Sequence, residues 1–163
     1  MGAFDRISTL VGRATSWLTL AMVVVMFVIV VMRYAFDFGF IWLQESVTWM
    51  HAVVFMLGAA YTLHDEEHVR VDVFYGGASD KRKAWINVFG VLSFLLPLCI
   101  FLAFEAWDFV AVSWSMKEAS RESGGLPYPF LPILKTTLLL MPLLVSMQGI
   151  SMLLRSVATI RGR

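Results

Sequence analysis

The sequence predicts an all-α integral membrane protein with four transmembrane helices and an N-terminal amphipathic helix in the membrane interface. Of its 163 residues, 59% are hydrophobic and 15% are charged, whereas soluble domains average about 45–50% apolar and about 25% charged residues. The mean hydropathy is +0.75. Four charge-poor stretches reach the roughly 20 residues that a helix needs to cross a bilayer core of about 30 Å. The polar remainder is too short for a second folded domain, so we predict a single membrane domain over residues 1–163.

The positions of the charged residues predict the four spans. The spans lie at about residues 14–33, 41–63, 84–110 and 134–154. Span one begins after Arg13 and ends at Arg33, and its apolar run exceeds the roughly 7–15 residues of a signal-peptide core. Span two is interrupted only by Glu45 and His51. We therefore expect span one to be retained as an anchor and span two to carry the unusual polar residues.

Two regions beside the spans are also predicted to be helical. In residues 3–16 an apolar stripe lies opposite a polar stripe at helical spacing, which is typical of a helix lying in the interface. The apolar positions are Phe4, Ile7, Leu10, Val11 and Ala14, and the polar positions are Asp5, Arg6, Ser8, Thr9 and Arg13. A helix over 84–116 would be about 50 Å long, so we expect span three to tilt, break or project beyond the membrane. Pro97 and Pro142 predict kinks in spans three and four.

The distribution of Lys and Arg predicts the orientation. The N-terminus, the loop at 64–83 and the C-terminus carry nine of them: Arg6, Arg13, Arg70, Lys81, Arg82, Lys83, Arg155, Arg161 and Arg163. The opposite side carries four: Arg33, Lys117, Arg121 and Lys135. Because Lys and Arg are concentrated in cytoplasmic loops, we expect both termini and the loop at 64–83 to be cytoplasmic. The loop at 111–133 is then on the other side of the membrane.

The composition excludes several functions. With a formal net charge of +1, the chain has no basic excess that would hold nucleic acid. The single cysteine, Cys99, rules out an internal disulfide. The sequence has no GxSxG motif, no DxD-type cluster and no glycine-rich phosphate loop, and its glycine pairs at 76–77 and 124–125 are turn signals. We predict no enzymatic activity and no cofactor, although bound membrane lipid is compatible with the sequence.

The histidines leave alternatives open. His64 and His68 have the spacing that can hold a metal on one helix face, but Asp65 stands where a metalloprotease motif needs Glu. The other interpretation is a solvated helix end. His51 lies near the middle of span two, where an ionisable group is costly and indicates a function by default. It is either a haem ligand or proton relay, or a neutral side chain hydrogen-bonded to another helix.

Glu45 and Arg33 lie at the same end of the first two spans. Glu45 is one turn inside span two and Arg33 ends span one. The carboxylate is either a charge that reaches water at the interface or the partner of Arg33 in an ion pair. Tryptophans near the span ends are typical of interfacial anchors. These are Trp42, Trp49, Trp85, Trp107 and Trp114.

Four short motifs, in order, resemble the small membrane subunit of tripartite ATP-independent periplasmic (TRAP) transporters, of the DctQ type. They are Arg33-Tyr34-x-Phe36, Trp42-x-x-Glu45, Phe55-x-x-Gly58-Ala59-Ala60 and His68-x-x-x-Asp72. The resemblance covers most of the chain and includes the four spans and the proline-rich approach to span four. Gln44 departs from the family, in which many members carry a second acidic residue at that position.

The resemblance implies a bacterial or archaeal inner-membrane complex with the loop at 111–133 in the periplasm. A periplasmic substrate-binding protein delivers a substrate, often a carboxylate, and a large membrane transport subunit carries it inward with sodium. The small subunit is a helical scaffold packed on the large one. The candidate structural or interface residues are Arg33, Tyr34, Trp42, Glu45, Gly58, His68 and Asp72. The small patch at 58–60 favours close helix packing.

Two rival functions belong to other classes. A haem-binding or anchor subunit of a respiratory membrane enzyme would show a haem absorption band when purified. A stand-alone efflux protein would transport a substrate without partners. The sequence offers no pair of broken helices that would bind a substrate or a sodium ion, which favours the scaffold.

Overall fold

The computed structural model describes residues 3–64, 77 and 79–162, with only the backbone described at residues 3, 4 and 64. This part of the chain is helical and contains no β-strand. Its α-helices are α1 (Ala3–Ala35), α2 (Ile41–His64), α3 (Asp80–Gly90), α4 (Leu96–Ser115) and α5 (Phe130–Ile160), with a π-helical turn (Val91–Leu95) between α3 and α4. Four helical runs in the described part are long and apolar enough to cross a membrane. The predicted all-α fold with four spans is confirmed.

Residues 3–16 do not form a separate helix. They are the first turns of α1, which runs unbroken from Ala3 to Ala35. Two of their polar side chains face the protein, since Asp5 is 4% and Ser8 is 2% exposed, whereas Arg6 and Arg13 are exposed. Asp5 and Ser8 both contact α5. The predicted amphipathic segment thus continues directly into span one, and its position in the membrane interface stays a prediction.

Span three is one helical run from Asp80 to Ser115 with a π-helical turn inside it. Pro97 is the second residue after this turn. A proline has no N–H to donate and its ring collides with the carbonyl four residues earlier, and one wide turn accommodates both effects. The run has 36 residues and a length of roughly 54 Å, so it exceeds the bilayer core of about 30 Å. The run ends at Ser115, one residue from the end of the helix considered over 84–116, and it continues through the π-helical turn without a break in the helix.

Helix α5 is the centre of the bundle, because it contacts each of the other four α-helices. Helix α1 packs mainly on α2. Where α5 meets the π-helical turn, Gln148 and Val91 are 0% and 1% exposed. Gly149 permits this close contact, since a Cβ atom there would lie 2.7 Å from Leu95 Cδ2. The core is therefore narrow and lies along α5.

The two ends of the bundle differ in what they contain. The loop end holds the connection between α1 and α2 and the connection 116–129 between α4 and α5. The termini end holds the start of α1, the start of α3 and the last turns of α5. Polar side chains cluster at both ends, and the cluster at the loop end contains Glu45, one of the residues singled out in the sequence.

Candidate functional site

A polar cluster at the loop end is built on Glu45 from α2. The Ser120 hydroxyl donates to Glu45 Oε1 at 2.5 Å, and the Leu126 N–H donates to Glu45 Oε2 at 2.7 Å. The Ser120 N–H in turn donates to the Leu126 carbonyl at 3.0 Å. One carboxylate therefore fastens the connection 116–129 to the second span. We call Glu45, Ser120 and Leu126 the Glu45 clamp.

Two glycines allow the connection to approach α2 this closely. Gly124 has φ = +80°, in the left-handed region that favours glycine, and its carbonyl accepts a hydrogen bond from the Trp42 N–H at 3.1 Å. That N–H belongs to the first turn of α2, where helix donors have no partner within the helix. At Gly125 a Cβ atom would lie 2.7 Å from Glu45 Oε2. Gly124 and Gly125 are thus required by the site as well as by the turn.

A second cluster joins α4 to α5 through Glu118. Lys135 Nζ and Ser113 Oγ both donate to Glu118 Oε2, at 2.5 and 2.6 Å. Lys135 Nζ also lies 3.9 Å from the centre of the Phe109 ring, within cation–π range. The hydrogen bond from Lys135 first, and then the one from Ser113, hold the pKa of the Glu118 carboxyl below its usual value. The carboxylate stays charged and fixes the last turns of α4 against the start of α5.

Two tryptophans position the first turns of α5. Trp49 Nε1 donates to the Phe130 carbonyl at 2.9 Å, and Trp114 Nε1 donates to Thr136 Oγ1 at 3.0 Å. From their positions near span ends, both tryptophans were predicted to be interfacial anchors, a role that requires no particular hydrogen-bond partner. In the structure their indole N–H groups join α2 and α4 to the same end of α5. Together with the two carboxylate clusters they make the loop end a fixed platform.

The predicted ion pair between Arg33 and Glu45 is not formed. Both residues are described, and the two Glu45 oxygens accept from Ser120 and Leu126 instead. Arg33 lies in the last turn of α1 and is exposed. The sequence correctly places both charges at one end of the bundle, but a carboxylate one turn inside α2 lies closer to the connection 116–129. This pairing is therefore corrected.

The remaining predicted residues are spread over the molecule. Tyr34 is 85% and Trp42 is 47% exposed at the loop end, so their rings are not part of the clusters there. Gly58 has no atom of the described residues within 4 Å of where a Cβ would lie, so it does not pack against another of the described helices. His68 and Asp72 lie outside the described residues, as does the proposed metal pairing of His68 with His64. Of the predicted set, the structure joins Trp42 and Glu45 in one site.

His51 is exposed on α2 and stacks on Phe55, with ring centres 6.5 Å apart and ring planes at 27°. Among the described residues it makes no hydrogen bond to another helix, so the predicted interhelical bond is not formed within them and stays a prediction. It lines a cleft of 440 Å³ between α1 and α2. The described residues also contain no group of three or more His, Cys, Asp or Glu side chains placed to hold a metal.

A buried cluster at the termini end was not predicted from the sequence. Asp5 Oδ1 accepts from Ser151 Oγ at 2.9 Å and from Gln148 Nε2 at 3.4 Å, and Ser8 Oγ donates to Gln148 Oε1 at 3.1 Å. Arg155 lies 3.8 Å from the same Asp5 oxygen. The signal in the sequence is a lone amide inside an apolar span, because a buried polar group needs a partner. This cluster pins the start of α1 to α5.

Comparison with known families identifies the chain. The family model described as "Tripartite ATP-independent periplasmic transporters, DctQ component" matches residues 22–159. This range begins inside α1 and takes in α2, α3, α4, nearly all of α5 and both clusters at the loop end. Comparison with curated proteins and with solved structures gives no significant match. The family is a component of a transporter and not an enzyme, and it does not support the alternative of a haem-binding or anchor subunit of a respiratory enzyme. The chain belongs to the DctQ family and is a small subunit of a TRAP transporter in the inner membrane.

Proposed function

We propose that this small subunit is a structural scaffold for the large membrane subunit of a sodium-coupled importer. A periplasmic binding protein would deliver the substrate, a carboxylate, and the large subunit would carry both the substrate and sodium. The scaffold role is supported by the hydrogen bonding of the buried polar groups in the described bundle. Each buried side-chain nitrogen or oxygen there already has a hydrogen-bond partner.

The two carboxylates that reach into the bundle illustrate this. Glu45 is occupied by donors from the connection 116–129, and Asp5 is occupied by donors from α5. A transport site needs polar groups that can exchange their partners for a substrate or an ion. Here those groups hold helices and loops together, which is the chemistry of a scaffold.

The orientation belongs to the same proposal. With both termini in the cytoplasm, as the nine-to-four distribution of Lys and Arg favours, the loop end faces the periplasm. The fixed platform made by the Glu45 clamp and the Glu118 cluster then lies on the side from which the binding protein arrives. Docking of the binding protein would involve this platform together with the large subunit.

Co-purification and thermal stability test the scaffold role. The large subunit is expressed with and without this chain, and an affinity tag on the chain is used to recover the pair. We expect the large subunit to co-purify and to melt at a higher temperature in the pair than alone, because a partner that binds only the folded state stabilises it. An unrelated four-span membrane protein carrying the same tag is the control. Equal melting temperatures with and without the chain would refute the stabilising role.

A further inference from the structure

A groove runs along the outer side of the hairpin formed by α1 and α2. Two clefts form it, of 440 Å³ towards the loop end and 510 Å³ towards the termini end. The first is lined by Met22, Met26, Thr48 and His51, and the second by Gly12, Ser16, Phe55, Gly58 and Thr62. Positions three or four apart share one helix face, so these residues form one stripe on each helix. We call this feature the α1–α2 groove.

His51 makes this groove unsuitable for lipid alone. It is exposed near the middle of α2 and makes no hydrogen bond within the described chain. Its neighbour Phe55 stacks on the imidazole ring, but a phenyl ring has no oxygen or nitrogen atom that could accept a hydrogen bond. Hydrocarbon tails contain no partner for an imidazole N–H, and an unsatisfied polar group in the bilayer core costs several kcal/mol. The side chain therefore needs a partner that another protein segment supplies.

The hydroxyl groups of the groove differ from His51 in this respect. Ser16 Oγ donates to the Gly12 carbonyl at 3.0 Å and Thr62 Oγ1 donates to the Gly58 carbonyl at 3.1 Å. Both are satisfied inside their own helix and leave a shallow surface beside Gly58. Small side chains let a neighbouring backbone approach closely, which is the main way that helices gain contact in lipid. The groove thus combines space for a helix with one unmet hydrogen bond.

The exposed face of α4 provides a contrast. Between Leu98 and Phe104 the outward side chains Leu98, Ile100, Phe101 and Phe104 are 56–80% exposed and all of them are apolar. Lipid satisfies such a surface fully. A covering protein is required by the chemistry of the α1–α2 groove and is not required by this part of α4.

We propose that the α1–α2 groove receives one transmembrane helix of the large subunit, which places a hydrogen-bonding side chain opposite His51 at mid-membrane depth. The inference rests on the proposed function, because it takes the covering partner from the membership of this chain in a multi-component transporter. It adds which face of the small subunit is covered. It also assigns His51 to subunit recognition in place of haem binding or proton relay.

Site-specific photo-crosslinking tests this contact in the complex. p-Benzoylphenylalanine replaces Phe55, which is 73% exposed in the groove, or Phe101, which is 59% exposed on α4. The two sites match in residue type and in exposure. After irradiation of the membranes, we expect an adduct with the large subunit from position 55 and adducts with lipid only from position 101.

The other outcomes are distinct. An adduct with the large subunit from position 101 but not from 55 overturns the inference and leaves the proposed function intact. An adduct from position 55 with a second copy of this chain also overturns it, since the groove would then hold a homodimer contact. If the large subunit never co-purifies with this chain, the proposed function itself fails, and the inference fails with it.

Substitution of His51 tests the hydrogen bond. We expect His51→Leu to release the large subunit about threefold faster than the wild type, which is the size of an average membrane hydrogen bond, whereas His51→Gln retains it. The sodium dependence of uptake is expected to be the same in both variants. Equal retention by His51→Leu and the wild type would contradict a bonded partner, and an altered sodium dependence in His51→Gln would point to a relay.

Discussion

At the scale of single residues, Glu45 shows how one carboxylate acts on a distant part of the chain. It lies in the second turn of α2, yet both of its oxygens serve the connection 116–129 through Ser120 and Leu126. The connection contains two charged side chains and two glycines between these contacts and has no regular secondary structure. Its shape therefore depends on the carboxylate that closes it.

Glu45→Ala is expected to loosen the connection 116–129. The substitution leaves the Leu126 N–H without its acceptor and should lower the free energy of unfolding by about 1–2 kcal/mol, since hydrogen bonds to a partly exposed charged group are being lost. Glu45→Gln keeps one acceptor oxygen and should cost less. Chemical unfolding in mild detergent measures both. Gln44→Ala, at the exposed neighbouring position, is the matched control and should change stability by less than about 0.5 kcal/mol.

The charge swap Arg33→Glu with Glu45→Arg separates the clamp from an ion pair. An arginine at position 45 cannot accept the hydrogen bonds of Ser120 and Leu126, so the swap should be at least as unstable as Glu45→Ala. A swapped chain that regains the stability of the wild type would show that the intrachain pair exists after all.

Glu118 gives the loop end a defined response to acid. Lys135 and Ser113 lower the pKa of its carboxyl in the folded state, so its contribution to stability is fully present above the ordinary carboxyl pKa of about 4.3. The contribution is lost as the pH falls through the lower pKa of the folded state. The melting temperatures of the wild type and Glu118→Gln should therefore differ at neutral pH and converge in acid. Glu122→Gln, on an exposed neighbour, is the control, and a difference that widens in acid would contradict this assignment.

Residue types alone could predict that Glu45 was important but not its partner. A charge one turn inside a span is conspicuous in any sequence. Its partner Ser120 is an ordinary polar residue in a polar loop, and Leu126 contributes only its backbone N–H. Partners of that kind leave no pattern in the sequence, because almost any residue has a backbone N–H. The ion pair of Glu45 with Arg33 was predicted because a sequence shows which side chains carry opposite charges, whereas it does not show which backbone N–H group will lie beside the carboxylate.

At the scale of helices, the hairpin of α1 and α2 depends on one glycine and not on another. A Cβ at Gly12 would lie 2.4 Å from Cγ of the Tyr61 ring, whereas at Gly58 nothing lies within 4 Å. The sequence pointed to Gly58, which stands beside two alanines. The small residue that the hairpin uses, Gly12, stands between Val11 and Arg13 in α1 and belongs to no run of small residues. Two crossing helices need a small residue at the point where their backbones come closest. The position of that point depends on the tertiary arrangement and cannot be read from the sequence of one helix.

Gly12→Ala should destabilise the isolated chain by about 1–3 kcal/mol, the usual cost of overpacking a tight contact. The Tyr61 ring must move because its Cβ and Cγ are both under 3 Å from the added methyl group. Gly58→Ala should leave the isolated chain unchanged or slightly stabilised, since alanine is the better helix former. Unfolding of the two purified variants in the same detergent compares them. A larger loss at Gly58 than at Gly12 would reverse the assignment of the crossing point.

The number and approximate positions of the transmembrane helices were the most predictable features of the fold. Long apolar runs bounded by charges mark spans because the bilayer forces the backbone to satisfy its own hydrogen bonds. The start of α5 was less predictable, since α5 begins at Phe130, four residues before the span expected from residue 134, where polar clusters and indole contacts hold its first turns. The amphipathic segment at 3–16 was predicted without its partner on α5. Its polar face meets Gln148 and Ser151, and amphipathicity does not say whether the polar side faces water or a buried amide.

At the scale of the whole molecule, the orientation determines which partner meets which end. A reporter phosphatase that is active only outside the cytoplasm is fused within residues 118–128 or after Arg163. We expect activity from the first fusion and none from the second, because nine Lys and Arg residues lie on the side of the termini and four on the other. Fusions of a cytoplasmic reporter at the same two positions are the controls. The reverse pattern would place the Glu45 clamp in the cytoplasm and exclude it from docking of the periplasmic protein.

The central claim is that this DctQ component supports transport without carrying the substrate itself, and reconstitution in liposomes with an imposed sodium gradient tests it most directly. Three preparations are compared: this chain alone, the large subunit with the binding protein, and all three components together. We expect no uptake of a radiolabelled carboxylate by the chain alone, and more uptake by the complete set than by the pair that lacks this chain. Sodium-driven uptake by this chain alone, or equal uptake with and without it, would contradict the scaffold role.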